Sequence, residues 1–288
     1  MSFLKIVVLA IVQGLAELLP VSSSAHVVVA EKLMGLDPSS PAMTLLLVML
    51  HTGTMFAVIA YFWSRWRATY FSSLEQFKHT VWLVVLATAL TGIVGYGLKT
   101  VIEKTAFRDV PHAEIEDLFS HLELVAPALA VAGVLILVAG LRERRRGEGS
   151  DTSAALTQRQ AGVIGVVQGL SLPFRGFSRS GATISTGMLL GAPKSAVEDF
   201  SFALAVVLTP AVVVREALRV VHAEQAGAAA ALSSSAVSSL AGAVLAFLAG
   251  LVALKWLSRW LERGRWYLFG IYCLVASAVV GGLYLAGF

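Results

Sequence analysis

Six predominantly apolar runs, each long enough to cross a membrane, decide what this chain can fold into. They lie at about 41–62, 80–101, 122–141, 196–220, 236–256 and 266–287. A helix needs about 20 such residues to cross roughly 30 Å of hydrocarbon, so each run predicts a membrane-spanning helix. Only 14% of the residues are charged, against about 25% in a soluble domain, which places the whole chain in the membrane class. The opening "MSFLKIVVLAIVQGLAELLP" has the lone Lys and short apolar run of a secretory signal. Gln13 and Glu17 interrupt that run and the segment recurs later in the chain, so it is read as part of the fold. The single cysteine, Cys273, excludes an intrachain disulfide and a thiolate metal cluster.

Two further apolar stretches, 3–35 and 160–191, are broken near their middles, at "LLPVSSS" and "LPFRGFS". Pro, Gly and serine runs stop helices, and each half is too short to cross alone. Both stretches are therefore expected to be re-entrant helical hairpins, with their breaks enclosed by protein or a watery cavity. The fold expectation is an all-α integral membrane protein of six transmembrane helices and two re-entrant hairpins.

Basic residues fall in short clusters between the runs, which suits membrane topology and not nucleic acid. Thirteen of the 22 lie on one side, including the "LRERRRGEG" segment, and seven on the other, whose longest loop is net acidic. The positive-inside rule then puts both termini outside the cytoplasm. "IVQGLAELLPVSSSAH" at 11–26 also resembles "VVQGLSLPFRGFSRSGAT" at 166–183, with Gln13 matching Gln168. A unit of one hairpin plus three spans changes sides, so its second copy is expected upside down, an inverted repeat with broken helices facing each other at the membrane centre. The expected divisions are a first repeat over 1–141, a cytoplasmic basic loop over 142–159 and a second repeat over 160–288.

The polar residues at the breaks suggest chemistry. Gln13 and Glu17, four apart, share one helix face, and Ser22 and Ser23 stand four and three residues before His26. Ser22, Ser23 or Ser24 can cap the returning helix, and Ser178 can cap the helix opening "SRSGATIST". A helix N-terminus offers N–H groups and positive dipole to an anion, and Arg179 adds a charged fork suited to phosphate. Together the two tips suit a phosphate or diphosphate at a membrane. In phosphoanhydride hydrolysis Arg179 and the helix ends would neutralise phosphate oxygens, while an activated hydroxyl or a water attacks. His26 suits acid or base chemistry, and Glu17 could hold a divalent cation or orient His26. One carboxylate is a thin metal site, so a cation would lean on the substrate's own phosphates. A lipid-phosphate transporter or flippase is the rival reading, because inverted repeats with broken helices also build transporters.

These motifs resemble the integral-membrane undecaprenyl-diphosphatases of the bacitracin-resistance type. "QGLAELLPVSSSAH" is similar to that family's Glu/Gln-x-x-x-Glu, Pro-Val-Ser-Ser and His pattern, and "RGFSRSGATIS" to its Pro-Gly-x-Ser-Arg-Ser-Gly-x-Thr. "LHTGTMFAV" at 50–58 and "EDFSFALAV" at 198–206 look like family segments too and add His51 and Asp199 as secondary candidates. The resemblance implies removal of the terminal phosphate from undecaprenyl diphosphate, recycling the lipid carrier of peptidoglycan and other envelope polymers. It also implies Mg²⁺ or Ca²⁺ dependence and a site opening to the periplasm from the bacterial inner membrane; the sequence leaves the oligomeric state open, a homodimer included. Carried over by position, Glu17, Ser23, His26 and Arg179 are the expected catalytic residues. Ser22, Ser178, Ser180, Thr183 and Arg175 would contact phosphate, and Glu17 with Gln13 would meet the metal. Ser23 is the candidate nucleophile, with His26 or water as alternatives. The chain departs from the family pattern at Gln13, where many members have Glu, at Ala25, where Gly is usual, and at Arg175, which replaces the motif's Pro.

Overall fold

The computed structural model describes residues 2–37, 40–106, 122–146, 155–223 and 229–287. Among them the chain is all helical: α1 Phe3–Leu18, α2 Ser23–Leu33, α3 Pro41–Thr69, α4 Leu74–Ala106, α5 Leu122–Arg146, α6 Gln158–Ser171, α7 Arg179–Leu189, α8 Lys194–Ala223, α9 Ala229–Glu262 and α10 Tyr267–Leu285. The expected acidic outer loop over 107–121 and residues 147–154 of the expected basic loop lie outside the described residues. Residues 142–146, also assigned to that loop, continue α5 as helix.

Among the described residues five helices are long and apolar enough to cross a membrane: α3, α4, α5, α9 and α10. This is a multi-pass membrane protein. The sixth expected span, 196–220, is a single helix, α8, but it is not among the five; it carries Glu198, Asp199 and Pro210, and part of its side chains lies outside the described residues. Several helices outrun their apolar stretches, α3 to Thr69 and α9 to Glu262, because hydropathy stops at the first charges while the backbone ladder continues past them.

The two hairpin breaks appear as expected. α1 stops at Leu18; Leu19 is extended ahead of Pro20, as a residue before proline must be to clear the ring. α2 restarts at Ser23. α6 opens on a capping box between Thr157 and Gln160 and ends at Ser171, and α7 restarts at Arg179.

The chain forms two compact units. One comprises Met1–Leu19, His26–Trp63 and Ala205–Leu257. Its core joins Ile6, Leu9 and Ala10 of α1, Val27 of α2, Met43, Leu46 and Leu50 of α3 and Ala246 of α9. Gly53 lets α3 lie directly on α9, where any Cβ would overlap the Ala243 carbonyl, the small-residue packing that membrane helices use in place of hydrophobic collapse.

The other unit comprises Pro20–Ala25, Ser64–Leu204 and Ser258–Phe288. Here α5 packs on α10, α4 on α6, and α7 on both α5 and α6. Polar side chains tie these contacts where no water competes: Thr91 Oγ1 donates to the Gly165 carbonyl at 2.9 Å, Gln168 donates to Thr91 Oγ1 at 3.1 Å, and Ser277 donates to the Ala126 carbonyl at 2.7 Å.

Candidate active site

In the first unit, helix spacing brings Gln13 and Glu17 together as expected: Gln13 Nε2 donates to Glu17 Oε2 at 3.1 Å. The next neighbour comes from α3. His51 Nε2 stands 3.8 Å from Glu17 Oε2, and His51 Nδ1 is 2.8 Å from the Leu47 carbonyl one turn earlier. Gln13 is buried, whereas Glu17 and His51 keep part of their surface accessible. His26, in the first turn of α2, is half-buried in the same unit.

The second unit holds both hairpin tips. The tip of the first, Pro20–Ala25, belongs to the same compact unit as the whole second hairpin. Gly176 N–H donates to Ser24 Oγ at 3.4 Å across 152 residues of sequence, and Ser24 Oγ lies 3.2 Å from Ser22 Oγ. Cys273 on α10 donates its thiol hydrogen to the Pro20 carbonyl at 3.3 Å. Ser22 has φ +68°, a left-handed conformation that costs a non-glycine residue about 1–2 kcal/mol and that concentrates at functional sites. Ser23 opens α2 at the helix N-terminus and is half-buried.

The second tip is a tight turn, closed by Phe177 N–H donating to the Phe174 carbonyl at 3.1 Å. Gly176 is its third residue with φ +102°, the place where such turns require glycine. Arg175 is the second residue, a position that favours proline without requiring it. The chain therefore keeps the turn although it lacks the motif's Pro, and gains a half-buried guanidinium. Ser178 then caps α7, its hydroxyl accepting from Gly181 N–H at 3.2 Å. Arg179 is the first residue of α7, half-buried, with the helix dipole's positive end behind it.

The remaining candidates are Ser180, Thr183 and Asp199. Ser180 is buried. Thr183 is fully buried; its hydroxyl donates to the Arg179 carbonyl at 2.8 Å and lies 2.6 Å from Ser201 Oγ on α8, so it braces the turn that carries Arg179. Trp266 Nε1 pins the next turn by donating to Ser185 Oγ at 2.9 Å. Asp199 lies in an ion-pair cluster: Arg65 Nη2 is 2.8 Å from Asp199 Oδ1, Arg65 Nη1 donates to Glu198 Oε2 at 3.1 Å, and Ser258 donates to Glu198 Oε1 at 2.6 Å. Tyr70, just past α3, is half-buried and close enough to feel the Asp199 and Arg65 charges. Burial first, and the Asp199 charge second, push its phenol far above the usual range, so it stays a neutral hydroxyl. Arg65→Ala would leave two buried carboxylates without their counter-ion. A loss of about 3–5 kcal/mol is expected, read as a lowered Tm in detergent, with phosphate turnover per folded molecule intact.

Among the described residues no group of three or more His, Cys, Asp or Glu could hold a metal ion by itself. Glu17 is too little to hold a divalent cation by itself and fits one as a member of a larger set to which water and substrate phosphates contribute, as they commonly do for Mg²⁺.

A family model described as bacitracin resistance protein BacA matches residues 6–279. "Undecaprenyl-diphosphatase 2" of Acinetobacter baylyi is 58% identical over 283 residues, covering 97% of this chain and 97% of that protein. A protein of the same name in Burkholderia ambifaria is 33% identical, and "Undecaprenyl-diphosphatase 1" of Burkholderia pseudomallei 34% identical, each over 99% of this chain and 98% of its own length. These matches run through both broken hairpins and every expected span, and on that full-length correspondence the chain belongs to the BacA family of bacitracin resistance proteins.

Proposed function

We propose that this protein hydrolyses undecaprenyl diphosphate to undecaprenyl phosphate and inorganic phosphate. The observation that carries the reading is the joining of the two motif-bearing tips in one unit through Ser24 and Gly176, in a chain matched end to end by relatives named for this activity. Supporting it, α7 directs a capped, positively polarised N-terminus and Arg179 to a place suited to phosphate oxygens.

In this reading Arg179 binds the terminal phosphate and Arg175 contacts the substrate less directly. Ser22, Ser178 and Ser180 shape the pocket for its oxygens, and Thr183 holds Arg179 in place. Ser23, or a water that it or His26 activates, attacks the terminal phosphorus. The bond from phosphorus to the bridging oxygen breaks, and that oxygen leaves on the lipid monophosphate, with His26 suited to the proton transfer. If Ser23 attacks, water then cleaves the phosphoserine, so each cycle consumes one water. Glu17, oriented by Gln13, would hold a divalent cation, expected to be Mg²⁺ or Ca²⁺, which when bound neutralises phosphate charge. The protein would sit in the bacterial inner membrane with both termini and the site on the periplasmic side, a placement supported by the excess of basic residues in the opposite loops. The assigned roles lie within one chain, whether it acts alone or as a homodimer.

The test is phosphate release from a long-chain polyprenyl diphosphate by purified protein, with and without a chelator. The unaltered protein is expected to release phosphate and to stop on chelation. Glu17→Ala is expected to lose at least about 100-fold in kcat while remaining folded. No release with Mg²⁺ or Ca²⁺ present, together with movement of polyprenyl phosphate between leaflets of proteoliposomes, would establish a transporter instead.

A further inference from the structure

We propose that His51 is a nitrogen ligand of the divalent cation, so that the metal site of this chain is a mixed imidazole–carboxylate site. This deepens the phosphatase reading and rests on it for the cation's purpose. The argument begins with the tautomer. His51 Nδ1 lies 2.8 Å from the Leu47 carbonyl, which can only accept, so Nδ1 carries the hydrogen. In the neutral ring the lone pair is then on Nε2, the atom that faces Glu17. Metal-bound histidines are held in this way, one ring nitrogen donating to a carbonyl or carboxylate while the other coordinates.

The distance supports the same assignment. At 3.8 Å, Nε2 and Glu17 Oε2 are too far apart for a hydrogen bond. Two donors on one ion, each about 2.0–2.2 Å from it, stand about 3–4 Å apart. Gln13 Nε2 donates to the same Glu17 oxygen, acting on the carboxylate as a support in the way outer-shell partners fix metal ligands. The pair is also reachable. The His51 side chain is 36% exposed and that of Glu17 19%, unlike the carboxylates paired with Arg65, which are 3% and 7% exposed. A donor set of one imidazole and one carboxylate leaves room for water and two phosphates. It favours Mn²⁺, Co²⁺ and Zn²⁺ over Ca²⁺ and Mg²⁺, although Mg²⁺ can fill the site by abundance.

The experiment loads the purified protein with Mn²⁺, with and without methylenediphosphonate, and reads nitrogen coupling to the Mn²⁺ electron spin by pulsed electron paramagnetic resonance. Nitrogen coupling is expected in the unaltered protein, and it should change to the ¹⁵N pattern when histidine is supplied as ¹⁵N-histidine. His51→Gln is expected to abolish the coupling and weaken Mn²⁺ binding about tenfold or more. The advantage of Zn²⁺ and Co²⁺ over Mg²⁺ in displacing Mn²⁺ should shrink with it. Bound Mn²⁺ without histidine coupling, coupling that survives in folded His51→Gln, or no Mn²⁺ bound under either condition each overturns the assignment. The isotope arm needs no variant, so misfolding of His51→Gln leaves the first of these outcomes decisive. Phosphate release is measured separately: histidine coupling in a protein that releases no phosphate upholds the ligand and defeats the phosphatase reading.

Discussion

Arg179→Ala is expected to lower kcat/KM for phosphate release about 1,000-fold while leaving the protein folded and monodisperse in detergent. The magnitude follows from the chemistry: phosphoryl transfer gives a protein little to do except position and neutralise, and removal of a guanidinium aimed at transferring phosphate commonly costs 1,000-fold or more. The variant should fold because Arg179 opens α7 at a capped end, where Ser178 supplies the N-terminal bond and Thr183 and Ser201 hold the first turn from inside. Arg179→Lys keeps the charge and loses the planar fork, so it should recover only part of the rate. Arg175→Ala should lose about tenfold, mainly in KM, because Arg175 stands on the turn before the helix and is not backed by its dipole. Equal, total loss in both would show that the two arginines have been ranked wrongly, and full activity in Arg179→Ala would remove it from the site. Glu17 and Arg179 belong to different compact units. If both serve one chemical step, the double variant should be little worse than the worse single variant, as groups acting as a unit are strongly non-additive.

What the sequence made legible was local. Pro20 and the serines after it stop α1 and restart α2, and the four-residue spacing of Gln13 and Glu17 becomes a hydrogen bond, because both follow from backbone sterics and helix period. The cap by Ser178 was readable for the same reason. The long-range partners were not. His51 reaches Glu17 across 34 residues and Arg65 reaches Asp199 across 134, contacts decided by which faces of different helices meet. Helix α3 is apolar on nearly every side, so its sequence does not single out the face carrying His51. Asp199 illustrates the same difficulty: its segment pointed to function, yet its side chain is committed to an ion pair. The left-handed Ser22 left no trace in the sequence either, since nothing in a serine run marks which residue must take the strained conformation.

Gly176→Ala should cost both stability and turnover. Two separate penalties meet there. With φ at +102° the backbone lies where side chains other than glycine's are strained by about 1–3 kcal/mol, and an added Cβ would overlap the Val125 carbonyl and stand 3.2 Å from Leu129 N, both backbone atoms of α5 that cannot swing aside. Relief requires the tip to lift from α5, which breaks the Gly176 N–H bond to Ser24 and moves Arg179, three residues further on, out of register with the first hairpin's tip. A loss of at least about 100-fold in phosphate release is expected, since displacements near 1 Å at a positioning contact have that effect, together with a clear drop in Tm. Gly35→Ala separates the two penalties. Gly35 has φ +59° but nothing within 4 Å of its would-be Cβ, so alanine there meets the backbone strain alone, should cost about 1 kcal/mol and should leave turnover unchanged. If Gly176→Ala behaves like Gly35→Ala in both Tm and turnover, the close seating of the second tip on α5 is not what holds Arg179 in place; if only Gly176→Ala loses turnover, the tip-to-tip contact is what positions Arg179.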